Sequence, residues 1–155
     1  MQLDYDSSVI TFEQLLEIFW MSHDPAERTW SRQYMAIAFY NDEEQKKLIY
    51  KTMDRYAAAG KGEIRTLVLP ADTFYQAEDY HQKHAMQLDY DLKYEFRKIY
   101  PDFRDIINST AAARINGILG GFGKWAVHAG EIDTYGLSDI GKERLIKYLK
   151  APWQL

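Results

Sequence analysis

Apolar residues recur along this chain with two different periods, and the changes of period mark out its elements. Residues 2–5 alternate polar and apolar before Asp6, Ser7 and Ser8, which predicts a strand running into a turn. From Thr11 the period becomes helical: Phe12, Leu15, Leu16, Phe19 and Trp20 share one side, while Glu13, Gln14 and Glu17 lie off it. Thr11 is a good N-cap, with Gln14 in the capping-box position, and Pro25 biases Asp24 away from helical angles. Residues 33–40 (QYMAIAFY) form an apolar run of strand length. Asn41, with Glu44 three residues on, is read as the cap of a second helix carrying Leu48, Ile49, Met53 and Tyr56 as far as Gly60. Residues 63–69 (EIRTLVL) predict a third strand, closed by Pro70.

The second half begins without clear periodicity, in FYQAEDYHQKH, and then turns helical. A helix is expected within residues 88–99, before Tyr100-Pro101. Asp102 then caps one bent helix or two successive ones through DFRDIINSTAAARINGILGG, ended by Gly120, Gly121 and Gly123. Ser138 caps a last amphipathic helix bearing Ile140, Leu145, Ile146 and Leu149. The hexapeptide MQLDYD occurs at residues 1–6 and again at 86–91, far below the size of a folding repeat. The class expected is α+β: a single domain over residues 1–155 with a small mixed sheet, covering helices and a helical C-terminal extension. Three strands make a thin sheet with an edge prone to pairing.

Composition narrows the functional classes. Hydrophobic residues make up 46% and charged residues 27% of the 155 positions, the balance of a folded soluble chain. A formal charge of -4 gives no basic face for nucleic acid, and no apolar stretch approaches a membrane span. The acidic N-terminus does not read as a signal peptide, so a cytoplasmic location is expected. The chain has no cysteine, which excludes disulfides, thiolate metal sites and any reaction needing a thiol of its own. The four histidines, His23, His81, His84 and His128, show no metal-ligating spacing.

Two patches are dense in chemistry-bearing groups. Glu78, Asp79, Tyr80 and His81 follow Phe74 and Tyr75, where a carboxylate beside an imidazole can serve acid–base work or knit a surface loop. His23, Asp24 and Pro25 form the other, with Trp20 before them and Trp30 to Tyr34 after. There Asp24 reads as a turn acceptor, and Tyr34 as a hydroxyl able to point into a pocket.

ITFEQLLEIFWMSHDP, RQYMAIAFYNDEEQKKL, FYQAEDYHQKH and INSTAAARINGILGG, in this order, closely resemble the peptide methionine-(S)-sulfoxide reductases of the A-type family. The likeness runs from about Leu3 to the last helix, and STAAARING resembles the branch with a helical C-terminal extension. It implies an incomplete ferredoxin-like sandwich and, as family function, thiol-dependent reduction of methionine-(S)-sulfoxide, free or in peptides, in repair of oxidatively damaged protein. In that family a GCFW segment supplies the nucleophilic cysteine and the aromatic pair that holds the substrate methyl. A glutamate in a GHxE-like segment helps protonate the sulfoxide oxygen. Neither segment occurs here, so the resemblance implies a chain truncated at its N-terminus and inactive alone.

The remaining family positions carry over singly. Tyr34 matches the tyrosine that hydrogen-bonds the sulfoxide oxygen and is the catalytic residue retained. Gln33 matches its neighbour, and Phe74, Tyr75, Glu78, Asp79, Tyr80, His81 and Gln82 match the segment against the active site. Where the family commonly reads GNDxGTQYR, this chain has the shorter HDPAERTWSRQY, with Thr29 five residues ahead of Tyr34, so the loop aspartate has no counterpart unless Glu27 substitutes for it. The resemblance implies no bound cofactor or metal, thioredoxin or dithiothreitol as reductant, and methionine sulfoxide or an oxidised peptide as partner. The competing reading is a non-catalytic, peptide- or partner-binding relic of the fold.

Overall fold

Two helices, two strands and the connections between them make up the first of two compact units, residues 1–75; the second begins at Gln76. The structure, a computed structural model, describes residues 1–61, 63–123 and 125–150.

The first unit starts with a correction. Residues 1–5 are exposed and form no strand, because no described segment pairs with their backbone groups; Asp6 instead accepts from the Ser8 amide and hydroxyl at 2.8 and 2.6 Å. Helix α1 (Phe12–Met21) begins as expected, with a full capping box: the Gln14 amide donates to Thr11 Oγ1, and the Thr11 amide to Gln14 Oε1. A turn of 3-10 helix, Arg32–Tyr34, precedes strand β1 (Ile37–Tyr40). The strand is therefore shorter than its apolar run, since Tyr34 and Met35 spend their amides on Ser31 and Arg32 carbonyls.

Helix α2 (Glu43–Tyr56) is capped by Asp42 rather than Asn41. The Asp42 carboxylate accepts from the Gln45 amide at 2.7 Å, and the Asn41 amide donates to Gln45 Oε1 at 2.9 Å. A wider helical turn, Ala57–Lys61, follows α2, and in it Gly60 adopts φ +83°. Strand β2 (Leu67–Pro70) also starts late, because the Arg65 amide is taken by the Pro25 carbonyl at 2.7 Å.

Strands β1 and β2 pair in parallel, Ile37 beside Leu67 and Phe39 beside Leu69. Among the described residues the sheet thus has two strands, paired in parallel, where three in a mixed sheet were expected. Ala38 is buried and packs with Val68, Leu16, Trp20 and Ile49. Phe39, Leu67 and Leu69 alternate to the other side and stay exposed. Across the helices, Glu13 pairs with Lys51 and Arg55, and Glu17 with Arg55 at 2.7 Å. These exposed pairs contribute little. The buried contact counts for more: Trp20 Nε1 donates to Thr52 Oγ1 at 2.9 Å, and the hydroxyl in turn donates to the α2 carbonyls of Leu48 and Ile49.

The second unit is helical among the described residues. It comprises α3 (His84–Leu88), α4 (Tyr90–Ile99), α5 (Phe103–Asn108), α6 (Thr110–Gly117), α7 (Trp125–His128) and α8 (Asp139–Lys150). DFRDIINSTAAARING is two helices, because Ser109 takes an extended conformation and caps the second through the Ala112 amide. Met86, Leu92, Phe96, Ile106, Ile115, Ile118 and Leu145 form its core. Leu149 joins them as expected, whereas Ile140 is exposed. The α+β class with a helical second half is what the chain adopts.

Asp89 organises this core. Its carboxylate caps α4 through the Leu92 amide and receives Arg144 Nε at 2.7 and 2.8 Å and the Tyr148 hydroxyl at 3.2 Å. Burial alone would raise the Asp89 pKa, but these donors outweigh it and hold the carboxyl below its ordinary value. Burial, then Glu131, pushes the Tyr135 phenol up to about 12.

Two substitutions test these cores. Thr52→Val strands the buried Trp20 N–H and is expected to cost about 1–3 kcal/mol in urea unfolding. Arg144→Met leaves the Asp89 carboxylate short of partners; because Arg144 is partly exposed, a loss of about 2 kcal/mol is expected. The folded Asp89 pKa lies below the unfolded one, so its stabilisation is full above about pH 4 and is lost as pH falls through the folded value. Wild type and Arg144→Met should therefore converge in stability on acidification, measured by unfolding at stepped pH.

Candidate functional site

The HDP turn and the approach to β2 are tied together by two hydrogen bonds. The Arg65 amide donates to the Pro25 carbonyl, and His23 Nε2 lies 3.0 Å from Thr66 Oγ1. His23 Nδ1 sits 2.8 Å from the Phe19 carbonyl in the last turn of α1, and its ring packs against Phe19 at 4.7 Å. Asp24 behaves as the turn acceptor expected, taking the Ala26 amide at 3.0 Å.

This frame opens a cleft of about 410 Å³ lined by His23, Asp24, Pro25, Glu27, Arg28, Thr29, Tyr34, Met35, Ala36, Arg65 and Thr66. Tyr34 is 67% exposed, its position set by the 3-10 turn before β1. The Trp30 ring lies 6.3 Å from it and is 91% exposed. Glu27 lines the same cleft. Two basic residues, Arg28 and Arg65, and two acidic ones, Asp24 and Glu27, are among those that line it; Arg65 also pairs with Glu63 at 3.1 Å. A cleft with a phenolic donor, mixed charges and an aromatic beside it suits a small polar group on an apolar stem. Arg65 and Thr66 have no sequence signal, because partners some 40 positions apart leave no local pattern, and Arg28 and Met35 carry no motif.

The other expected site residues stand as follows. The Gln33 side chain lies outside the described residues. Phe74 and Tyr75, at the end of the first unit, are exposed. In the second unit, Asp79–His81 form a 3-10 turn and all of Glu78 to His81 are exposed. The Tyr80 and His81 rings are 4.2 Å apart, and Glu78 Oε2 is 3.9 Å from His81 Nε2, too long for a hydrogen bond. Gln82 and Gln87 hold this segment in shape. Gln82 Nε2 donates to the Ala77 carbonyl at 2.9 Å, and Gln87 Nε2 to those of Asp79 and Gln82 at 2.7 and 2.6 Å. Lys83, next along, has φ +49°, unusual for a residue with a side chain, and burial pushes its ammonium pKa down. Among the described residues no set of three His, Asp or Glu side chains gathers to hold a metal, and no helix is long and apolar enough to cross a membrane.

A family model described as peptide methionine sulfoxide reductase matches residues 1–114. A peptide methionine sulfoxide reductase of Drosophila melanogaster is 33% identical over 145 residues, covering 92% of this chain and 58% of the relative. The peptide methionine sulfoxide reductase MsrA of Methanosarcina acetivorans is 36% identical over 87 residues, 52% of this chain and 46% of the relative. That of Sulfolobus acidocaldarius is 35% identical over 116 residues, 65% of each. The chain spans roughly half to two thirds of the length of these curated relatives.

Gln87→Leu removes both bonds that gather the 79–82 backbone. It should speed amide exchange there about five- to thirtyfold, an opening cost lowered by about 1–2 kcal/mol, and leave α4 protected; hydrogen-exchange mass spectrometry reads both.

Proposed function

The chain belongs to the peptide methionine sulfoxide reductase family, and from that premise we propose that the cleft beside the HDP turn binds the side chain of methionine-(S)-sulfoxide, free or within a peptide. The observation that carries this reading is the position of Tyr34 on the cleft wall, exposed and able to donate. A sulfoxide oxygen bears substantial negative charge and only accepts hydrogen bonds; a phenol O–H directed at it lowers the energy of the bound oxygen and assists its departure. Glu27, an exposed carboxylate, lines the same cleft. Trp30, beside Tyr34, supplies apolar surface for the methyl and methylene groups that flank the sulfoxide.

Reduction itself takes two electrons and two protons. Two thiols become one disulfide, the S–O bond breaks, and the oxygen leaves as water. The 155 residues contain no cysteine, so both sulfur atoms of that disulfide must come from outside them. A small dithiol or thioredoxin is the source the family's chemistry points to. By itself the chain is then the substrate-holding side of the reaction, binding sulfoxide without converting it. The absent thiol equally favours a binding module for oxidised peptides, and both readings share one cleft.

Titration with a short peptide containing methionine-(S)-sulfoxide should perturb amide resonances of residues 23–36 and 65–66, and the unoxidised peptide should do so far less. Tyr34→Phe is expected to weaken binding about five- to tenfold, the worth of one hydrogen bond to a polar acceptor. With dithiothreitol present, no methionine should form; steady turnover by the purified chain would overturn the assignment of a binding role alone.

A further inference from the structure

The polarity of one wall of the cleft is fixed by hydrogen-bond arithmetic. The Phe19 carbonyl can only accept, so the His23 Nδ1 that lies 2.8 Å from it carries a hydrogen. In the neutral ring Nε2 is then bare, and at 3.0 Å it accepts the hydrogen of the Thr66 hydroxyl. Thr66 is 7% exposed and lines the cleft beside His23. With its single hydrogen committed to His23, the Thr66 oxygen has only lone pairs to offer a ligand. Opposite in character is Tyr34, whose O–H donates.

A methionine sulfoxide side chain brings acceptors alone, so its S=O is repelled at Thr66 and drawn to Tyr34. The one donor that the same residue carries near its side chain is its main-chain nitrogen. We propose that Thr66 is the subsite for the N–H donor of the substrate, with His23 as the positioning residue that turns the hydroxyl into an acceptor. The donor is the amide N–H of a peptide-bound residue or the ammonium of the free amino acid, which share this chemistry. Two contacts of opposite polarity, O–H to S=O at Tyr34 and N–H to oxygen at Thr66, orient the residue in the cleft. The inference rests on the sulfoxide reading given above and specifies how that site selects its ligand.

Affinities of the whole chain for three ligands test it: N-acetyl-methionine-(S)-sulfoxide methylamide, the analogue methylated on the acetylated nitrogen, and free methionine-(S)-sulfoxide. Wild type should bind the N–H ligand about five- to tenfold more tightly than its N-methyl analogue. Thr66→Val should erase that ratio and Thr66→Ser should keep it. A ratio between two ligands on one protein does not change with a general loss of stability, and the wild-type and serine arms stand even where valine prevents folding. Loss of affinity in Thr66→Val confined to the acetylated ligand assigns the subsite to the peptide amide; a parallel loss for the free amino acid assigns it to either donor. Equal binding of N–H and N-methyl ligands by wild type, or a ratio surviving in Thr66→Val, overturns the proposal while leaving the sulfoxide cleft intact. Absence of binding by all three ligands overturns the cleft reading and this one with it. The ring nitrogen shifts of His23 give a ligand-free check: the Nδ1–H tautomer is expected, and the Nε2–H tautomer would reverse the polarity and sink the idea.

Discussion

The imidazole of His23 spans the gap between the last turn of α1 and the residue that leads into β2, and the geometry of the first unit follows from that span. A helix end leaves carbonyls without their regular intrahelical donors, and the Phe19 carbonyl accepts here from the Ser22 amide and hydroxyl and from the His23 ring four residues on. The same ring reaches Thr66 across 43 positions of sequence. Together with the bond from Arg65 to Pro25, it holds the HDP turn against the β2 approach, beside a cleft that Tyr34, on the short turn before β1, also lines. A flexible link at either point would leave the same side chains with no shared cleft.

Local signals in the sequence were reliable because the interactions behind them are local. Thr11 with Gln14, Asp102 and Ser138 cap helices where their spacing indicates, each through a backbone amide within three residues. Asn41 and Asp42 are both competent caps, and the choice between them turned on which carbonyl or carboxylate the Gln45 amide could reach. Strand limits were harder to read. QYMAIAFY and EIRTLVL both read as strands of seven or eight residues, yet pairing begins only at Ile37 and Leu67, because residues before them bond elsewhere. Residues 2–5 show how little alternation means by itself: a strand is a property of two segments, and a single segment carries no record of its partner.

The site was legible in the same uneven way. Tyr34 and Glu27 were found from a motif, and both line the cleft. Thr66 and Arg65 were invisible, since nothing in RTLV distinguishes a threonine that faces a histidine from one that faces water. In the second unit the side chains of Glu78 to His81 attract attention, but the residues that fix their backbone are Gln82 and Gln87, whose amides satisfy three carbonyls. Supporting groups of this kind have no sequence signature beyond an ability to donate twice.

The hexapeptide MQLDYD is the clearest demonstration that context decides. At residues 1–6 it is exposed and belongs to no helix or strand. At residues 86–91 it crosses from α3 into α4, with Met86 and Asp89 buried at 1% and 5% exposure and the carboxylate engaged by Arg144. An antibody raised against the free hexapeptide would meet one available epitope on the native chain and two on the unfolded one. Its binding stoichiometry would therefore count the folded state of the second unit directly, with no label or substitution introduced into the protein.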